Sequence, residues 1–421
     1  MKVVIINRSD SAGGAAVVSR RLMHALRQSG VDARMLVIDR NSTDDEWVAS
    51  YASPAADNAA FLAERLDIFL HNGFSRENLF KVDTARWGRD VSQHEWVKNA
   101  DVIMLNWINQ GALSLKAIDR ICSLGKPVIW TMHDMWNCTG ICHHAYECRS
   151  FTGKCGKCQY LKSHHSSDLA RRTQQLKASL YASHSNLTFV AVSNWLGFRC
   201  RESSLMESAS MEIIPNAFPI DSFSFSRQSD GNIMDARRKK VVVMGAARLD
   251  DPVKGFDYAL NAFRHIADHK PQLAKRLHIV LYGAIRNKAL IDKIALPHTF
   301  VGKVGGIDGL SDIYTQADVV LSTSLYETLP GTLIEGQACG CLPVTFGNGG
   351  QADIVDHKLT GYIARYCSAE DVANGIEWAV DAGVSREKLH HEVERKFSAQ
   401  NIANRYIDLC NMLLEKCSQK H

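Results

Sequence analysis

Apolar residues follow two rhythms along this chain. Short β-branched runs, VVII at 3–6, ARMLVI at 33–38, DVIMLNW at 101–107, PVIWTM at 127–132 and LTFVAVS at 187–193, stand between longer segments. In those segments apolar positions recur every three to four residues, the first from about Ala15 to Ser29. Buried strands alternating with amphipathic helices predict a parallel sheet wound with helices. The pattern breaks after Pro215-Asn216-Ala217, where residues 222–240 are polar, aperiodic and end in a basic run, so 218–240 reads as a linker. It restarts with KVVVMGAARL at 240–249, a helix over about Asp257–Ala267, LHIVLYG at 277–283, DVVLSTS at 318–324, a helix from about Pro330 and LPVTF at 342–346.

The expected fold is α/β, with two Rossmann-like domains, 1–217 and 241–400, facing across a cleft at the carboxyl ends of both sets of strands. The closing helix, 401–421, carries a stripe of Ile402, Tyr406, Leu409, Met412 and Leu413. That stripe must pack on one of the two domains, and a return to the first is allowed. A second stripe, Phe61, Leu62, Leu66, Phe69 and Leu70 on a helix over 57–70, is expected to pack into the core, an apolar contact with a membrane surface being the alternative.

Composition narrows the class. With 46% hydrophobic and 22% charged residues, the 421-residue chain is that of a globular protein, and none of its apolar runs is long enough to span a bilayer. The opening run reads as a first strand, and the expected location is the cytoplasm. A net charge of +4 argues against a strongly basic nucleic-acid binder. The whole excess lies up to Ala217, where 25 Lys and Arg face 21 Asp and Glu, against 24 and 24 beyond it. This bias allows a peripheral contact with an anionic membrane face.

Candidate chemistry gathers where predicted strands end. In the first βα turn, Ser11-Ala12-Gly13-Gly14-Ala15-Ala16 lets backbone N–H groups approach an anion at a helix start, although a tight structural turn has the same composition. Arg248 ends one strand and Lys254-Gly255 follows six residues later, two cations on one loop able to neutralise a diphosphate. In VVLSTSLYETLPGTLIEGQACGCLPVTFGNGG, Glu327 precedes a helix for which Thr328 is the expected N-cap, with Pro330 in its first turn. Glu335 lies eight residues after Glu327, so two carboxylates can accept hydrogen bonds from hydroxyls. His133 follows the strand PVIWTM at its carboxyl end.

Taken together, Arg248, Lys254-Gly255, Glu327 through Glu335 and GQACGCLPVTFGNGG resemble the donor-binding half of the retaining glycosyltransferase family 4, whose fold is named GT-B. The Gly13-Gly14 turn, Thr131-Met132-His133-Asp134, Val192-Ser193-Asn194-Trp195 and Ile214-Pro215-Asn216 extend the resemblance nearly end to end. It implies a nucleotide-sugar donor, UDP- or GDP-linked, whose diphosphate Arg248 and Lys254 hold, with Glu327 at the sugar and Glu335 at the ribose. It adds Gly13, Gly14, Thr328 and Leu329 to the donor pocket and makes His133 a cleft residue at the donor sugar or phosphate. The implied reaction is retaining transfer of a hexosyl-type sugar to a growing glycan or lipid-linked oligosaccharide in surface polysaccharide synthesis, with no catalytic metal. Leu329-Pro330 departs from the family's small or aromatic residues and reshapes the sugar pocket; Asp353 stands where a Glu is common. A sugar-nucleotide epimerase of the same fold, or a binding protein with a degenerate catalytic half, are the competing readings.

Five of the 12 cysteines fall between Cys138 and Cys158, the others being scattered through apolar contexts as expected of reduced core thiols. Four thiolates suffice for a closed tetrahedral zinc, and Cys155-x2-Cys158 has a knuckle spacing. Cys142, Cys148, Cys155 and Cys158 are the expected ligands of a structural zinc in a loop at 138–158. Cys138, His143 or His144 replacing one of them, or disulfides, are the alternatives. The loop, TGICHHAYECRSFTGKCGKC, is similar to that of a cysteine-loop subset of the family that includes a colanic-acid transferase.

Overall fold

The computed structural model describes residues 1–419 other than 44, 164, 224 and 226–238, so most of the expected linker lies outside the described residues. The chain forms two compact units, one of Met1–Ala217 with the chain from Ala399 on, the other of Phe218–Ser398.

In the first unit seven strands form one parallel sheet: β1 (Lys2–Ser9), β2 (Asp32–Asp39), β3 (Val48–Ser50), β4 (Val102–Leu105), β5 (Val128–Met132), β6 (Leu187–Ala191) and β7 (Ser210–Ile213). Their order is β3-β2-β1-β4-β5-β6-β7. Strands β4, β5 and β6 are buried along their whole length, which is why they read as unbroken apolar runs. The second unit holds β8 (Lys240–Arg248), β9 (Leu277–Ala284), β10 (His298–Gly302), β11 (Val319–Ser322), β12 (Leu342–Phe346) and β13 (Tyr362–Ala364), in the order β10-β9-β8-β11-β12-β13. All neighbours are parallel. In each sheet the winding reverses between the first strand and its neighbour, β1 beside β4 and β8 beside β11, and ligands of such folds bind outside the strand ends at that point.

The last helix, Ala399–Ser418, packs on the first unit. Ile402, Ala403, Tyr406, Leu409, Cys410 and Leu413 join Leu22, Met23 and Leu26 of helix Gly14–Gln28 in one core. The Tyr406 hydroxyl meets Thr131 Oγ1 of β5 at 3.1 Å. Met412, expected in this stripe, is exposed instead, and Cys410 takes the inward position. Within the former linker span, Phe218 pairs with Ser398, and Ile220 and Phe223 are buried in the second unit.

A larger correction concerns helix Pro54–His71. It turns Glu64, Arg65 and Ile68 inward, while Leu62, Leu66 and Leu70 are 48–63% exposed. The inner face is held by ionic bonds. Arg65 binds Asp83, sits 3.3 Å from Glu64 and donates to the carbonyls of Leu79 and Val82; Glu64 accepts from the N–H groups of Thr84 and Ala85 at 2.9 and 2.8 Å. Burial, with Asp83 beside it, pushes the Glu64 carboxyl up to about 7. The Arg65 and Glu64 pairings orient this helix, and Leu62, Leu66 and Leu70 of the apolar stripe are left outside.

Candidate functional site

The switch point of the second sheet collects the expected donor-binding residues. β8 ends at Arg248, whose Nη2 donates to Asp251 Oδ2 at 2.8 Å; the Asp251 side chain in turn caps the short turn Pro252–Lys254 by accepting from Val253 N–H. The next residue, Gly255, has φ +60°, and a Cβ there would stand 2.2 Å from the Thr323 carbonyl. That contact seats the loop after β8 on the loop after β11. Thr323 Oγ1 donates to the carbonyl of Gly255 at 2.9 Å, and Leu325 N–H to that of Val253 at 2.8 Å. The stitching brings Lys254 Nζ to 2.5 Å from Glu327 Oε1. Glu327 also bridges to Gly349, with Gly350 N–H on its carbonyl at 2.9 Å, so the GNGG loop flanks it.

Thr328 does not cap the following helix. The helix runs Gly331–Ala338 with Pro330 at its N-cap position and no side-chain cap. A residue before proline is biased toward extended conformations, so Leu329 holds the chain out of the helix until Pro330 has passed. Leu329 is buried, Thr328 half-buried, and Glu335 is buried on the helix itself.

The first unit carries a cavity of about 410 Å³ at its own switch point, lined by Gly13, Gly14, Ala15 and Ala16 at the start of helix Gly14–Gln28 and by Arg8, Asp39, Trp107, His133, Asp134 and His144. Gly13 is the N-cap, and no side chain covers the helix start. An added Cβ at Gly14 meets no protein atom within 4 Å. His133 Nε2 lies 2.9 Å from Asn106 Oδ1, and burial pushes its imidazole down to about 4 against the pull of Asp134, so it is neutral at pH 7. Asp134 accepts from Trp107 Nε1 at 3.2 Å, from Trp136 N–H at 2.7 Å and from His143 at 2.8 Å. His143 Nε2 reaches Asp83 at 2.7 Å. Burial opposes a charge on His143, yet Asp134 and Asp83 raise it to about 10, and this imidazolium holds Asp134 well below the usual carboxylate range.

Arg8, Asn106 and Trp107 were not singled out from sequence; Asp134 entered only within the family resemblance and His144 only as an alternative ligand of the cysteine loop. Asn106 and Trp107 follow β4 as His133 follows β5, so position just past a buried strand was a signal available for both.

Cys142, Cys148, Cys155 and Cys158 all line a second, smaller cavity of about 90 Å³. Cys138 is elsewhere, buried against Cys200, with its thiol on the Met135 carbonyl at 3.3 Å. His143 has both ring nitrogens engaged by carboxylates, and His144 lines the larger cavity. Among the described residues no three His, Cys, Asp or Glu side chains stand together as a ready-made metal group. All 12 cysteines are free; Cys367, expected in an apolar context, is exposed.

Residues 238–382 match the family model described as glycosyl transferases group 1. The chain is 27% identical over 171 residues to an uncharacterised glycosyltransferase of Methanocaldococcus jannaschii, covering 38% of this chain and 43% of that one. It is 21% identical over 271 residues to the GPI3 subunit of phosphatidylinositol N-acetylglucosaminyltransferase of Saccharomyces cerevisiae, covering 58% of each. The matches thus span about half the length of these curated relatives. Among solved structures, Anabaena HepE in complex with UDP and glucose superposes with a TM-score of 0.62 at 15% identity, over 98% of this chain and 99% of that one. The two parallel-sheet units therefore have the GT-B fold.

Proposed function

We propose that this chain is a retaining glycosyltransferase of family 4 that moves a hexosyl-type sugar from a UDP- or GDP-linked donor to a growing glycan or lipid-linked oligosaccharide. The observation that carries this reading is the Lys254–Glu327 pair joining the loops after β8 and β11, with Arg248 at the end of β8, inside the segment that matches the glycosyltransferase family model. A diphosphate there meets two cations, Arg248 able to grip two oxygens and Lys254 acting as a point charge. Glu327, already drawn to Lys254, is the acceptor for sugar hydroxyls, and buried Glu335 the acceptor for the ribose. Transfer proceeds on one face of the sugar: the bond from the anomeric carbon to the donor phosphate breaks as the acceptor oxygen bonds, and the leaving phosphate takes the acceptor's proton. Arg248 and Lys254 stabilise the charge that develops on that phosphate, an effect on the order of 3 kcal/mol for one well-placed donor. In the first unit, His133 offers a neutral imidazole and the Gly13-Gly14 helix start a set of N–H groups.

The acceptor is assigned to surface polysaccharide assembly, on the likeness of the cysteine loop to that of a colanic-acid transferase and on the outer face of helix Pro54–His71. Leu62, Leu66 and Leu70 are exposed there, as are Phe74 and Phe80 in the chain that follows, with Arg76, Lys81 and Lys162 exposed nearby and Glu77 paired with Lys162 at 3.7 Å. Apolar side chains with basic companions suit peripheral contact with the cytosolic face of an anionic membrane. No described helix is long and apolar enough to cross one.

The test is calorimetric titration of the full chain with UDP, GDP and their hexose conjugates, followed by transfer from the best donor and determination of the anomeric configuration of the new bond by NMR. Micromolar binding and retained configuration are expected. Binding of no nucleotide, or an inverted product, overturns the reading.

A further inference from the structure

We propose that Cys142, Cys148, Cys155 and Cys158 take up one Zn²⁺ and that the loop closed by this metal sets the wall of the first unit's larger cavity through His143 and His144. The five thiols of the loop sort into four and one: four face a single cavity and Cys138 faces Cys200. Two of the four sulfurs already have donors. Gly140 N–H points at Cys155 and Tyr160 N–H at Cys158, while the Thr139 hydroxyl donates to the Cys142 carbonyl at 2.6 Å. A neutral core thiol needs no such donors, whereas metal thiolates are commonly oriented and stabilised by them.

Charge fits as well. Four thiols that bind Zn²⁺ release four protons and leave a centre of net charge −2. Lys177 is fully buried beside it, within electrostatic reach of Cys142, Cys138 and Cys155. Its Nζ donates to the carbonyls of Trp136 and Thr139 at 2.6 and 3.2 Å and lies 3.3 Å from the Trp136 ring centre. The sulfurs line the cavity without yet forming a ligand group. A tetrahedral zinc with sulfurs at about 2.3 Å draws them in by side-chain rotation.

The same segment runs straight from this cavity to the other. His143, next to Cys142, is pinned between Asp134 and Asp83, and His144 lines the cavity of Gly13 and His133. Tyr160 ties the two ends: its N–H serves Cys158 and its hydroxyl donates to the His144 carbonyl at 2.7 Å. Zinc that fixes Cys142 and Cys158 therefore fixes the backbone that presents His144.

The experiment uses the full chain purified without chelator. Elemental analysis is expected to return about one zinc per chain, and Co²⁺ exchanged into the site is expected to show the intense thiolate charge-transfer and visible bands of tetrahedral tetrathiolate coordination. Cys148→Ser and Cys158→Ser are expected to lose the metal, and Cys410→Ser, a buried thiol outside the loop, to keep it. Hydrogen exchange of metal-free protein is expected to quicken at 139–160 with no change over 238–382. Thermal melting and circular dichroism serve as the check that each variant remains folded. Iron in place of zinc, or metal-free protein whose loop thiols titrate as free or oxidised, overturns the proposal. So does metal loss that leaves exchange at 139–160 unaltered.

Discussion

Lys254 and Glu327, 73 residues apart in sequence, meet at 2.5 Å because Gly255 lets the loop after β8 press on the Thr323 carbonyl. The pair is half-buried, with side chains 29% and 20% exposed, and the proposed donor role gives each partner a separate test. Lys254→Met should weaken UDP binding by one charge-assisted bond, about 1.5–3 kcal/mol or roughly ten- to a hundredfold. Glu327→Gln frees the ammonium, so UDP affinity should hold or rise while turnover with a sugar donor falls. Calorimetry with UDP, set beside kcat, separates the two effects; equal loss of UDP affinity in both variants contradicts the assigned roles.

Glu335 lies buried on helix Gly331–Ala338. If it accepts from ribose hydroxyls, Glu335→Gln should weaken UDP by about 1.5–3 kcal/mol and leave inorganic pyrophosphate, which has no ribose, unaffected. Competition titrations with the two ligands give the answer directly.

Gly14→Ala and Gly140→Ala make opposite demands. At Gly14 the new methyl meets open cavity, so thermal stability should stay within about 0.5 kcal/mol while activity drops, because the methyl occupies ligand space. At Gly140 it would stand 2.6 Å from the Ala170 carbonyl, and the melting temperature should fall. Melting curves and turnover measured on both variants check the contrast.

His133 contributes to the pH dependence of stability with a definite sign. Burial depresses its folded pKa to about 4, below the unfolded value of about 6.5. Between those values the unfolded chain binds the extra proton. Stability from this group is therefore complete above about 6.5 and is lost as pH falls toward 4, with a slope of at most about 1.4 kcal/mol per unit. His133→Gln should flatten that slope in urea titrations between pH 4.5 and 6.5.

Leu66→Glu with Leu70→Glu should abolish flotation with phosphatidylglycerol vesicles while leaving the melting temperature within a degree or two, since both side chains are already solvent-exposed. Flotation unchanged in the double variant assigns membrane contact to some other surface.

The inner strands of both sheets were legible from the chain, because β4, β5, β6, β11 and β12 are buried on both faces and leave unbroken apolar runs, whereas the edge strands β3, β7, β10 and β13 were not read from it. Arg248, Lys254 and Glu327 were picked out by their place at or after a strand's carboxyl end, and the structure puts Arg248 at the end of β8 and the other two on the loops after β8 and β11. The partners of His133 were not picked out in this way. Asn106, Asp134, His143 and Asp83 come together only through the order β1-β4-β5 and a loop whose cysteines drew the attention. The stripe of helix Pro54–His71 misled because apolar periodicity ordinarily marks the inner face, and here Arg65 and Glu64 claim that face through ionic bonds. Thr328 failed as a cap because the Leu329-Pro330 constraint outranks the preference of threonine for that position.

The return of helix Ala399–Ser418 to the first unit sets an order of events during synthesis. Residues 1–217 leave the ribosome long before Tyr406, Leu409 and Leu413 exist, so Leu22, Met23 and Leu26 wait uncovered while the whole second unit is made. The first-born half is thus the last to be finished. A nascent chain stalled anywhere before residue 399 presents an apolar seam to chaperones, and a separately supplied 399–418 peptide is the piece that would close it.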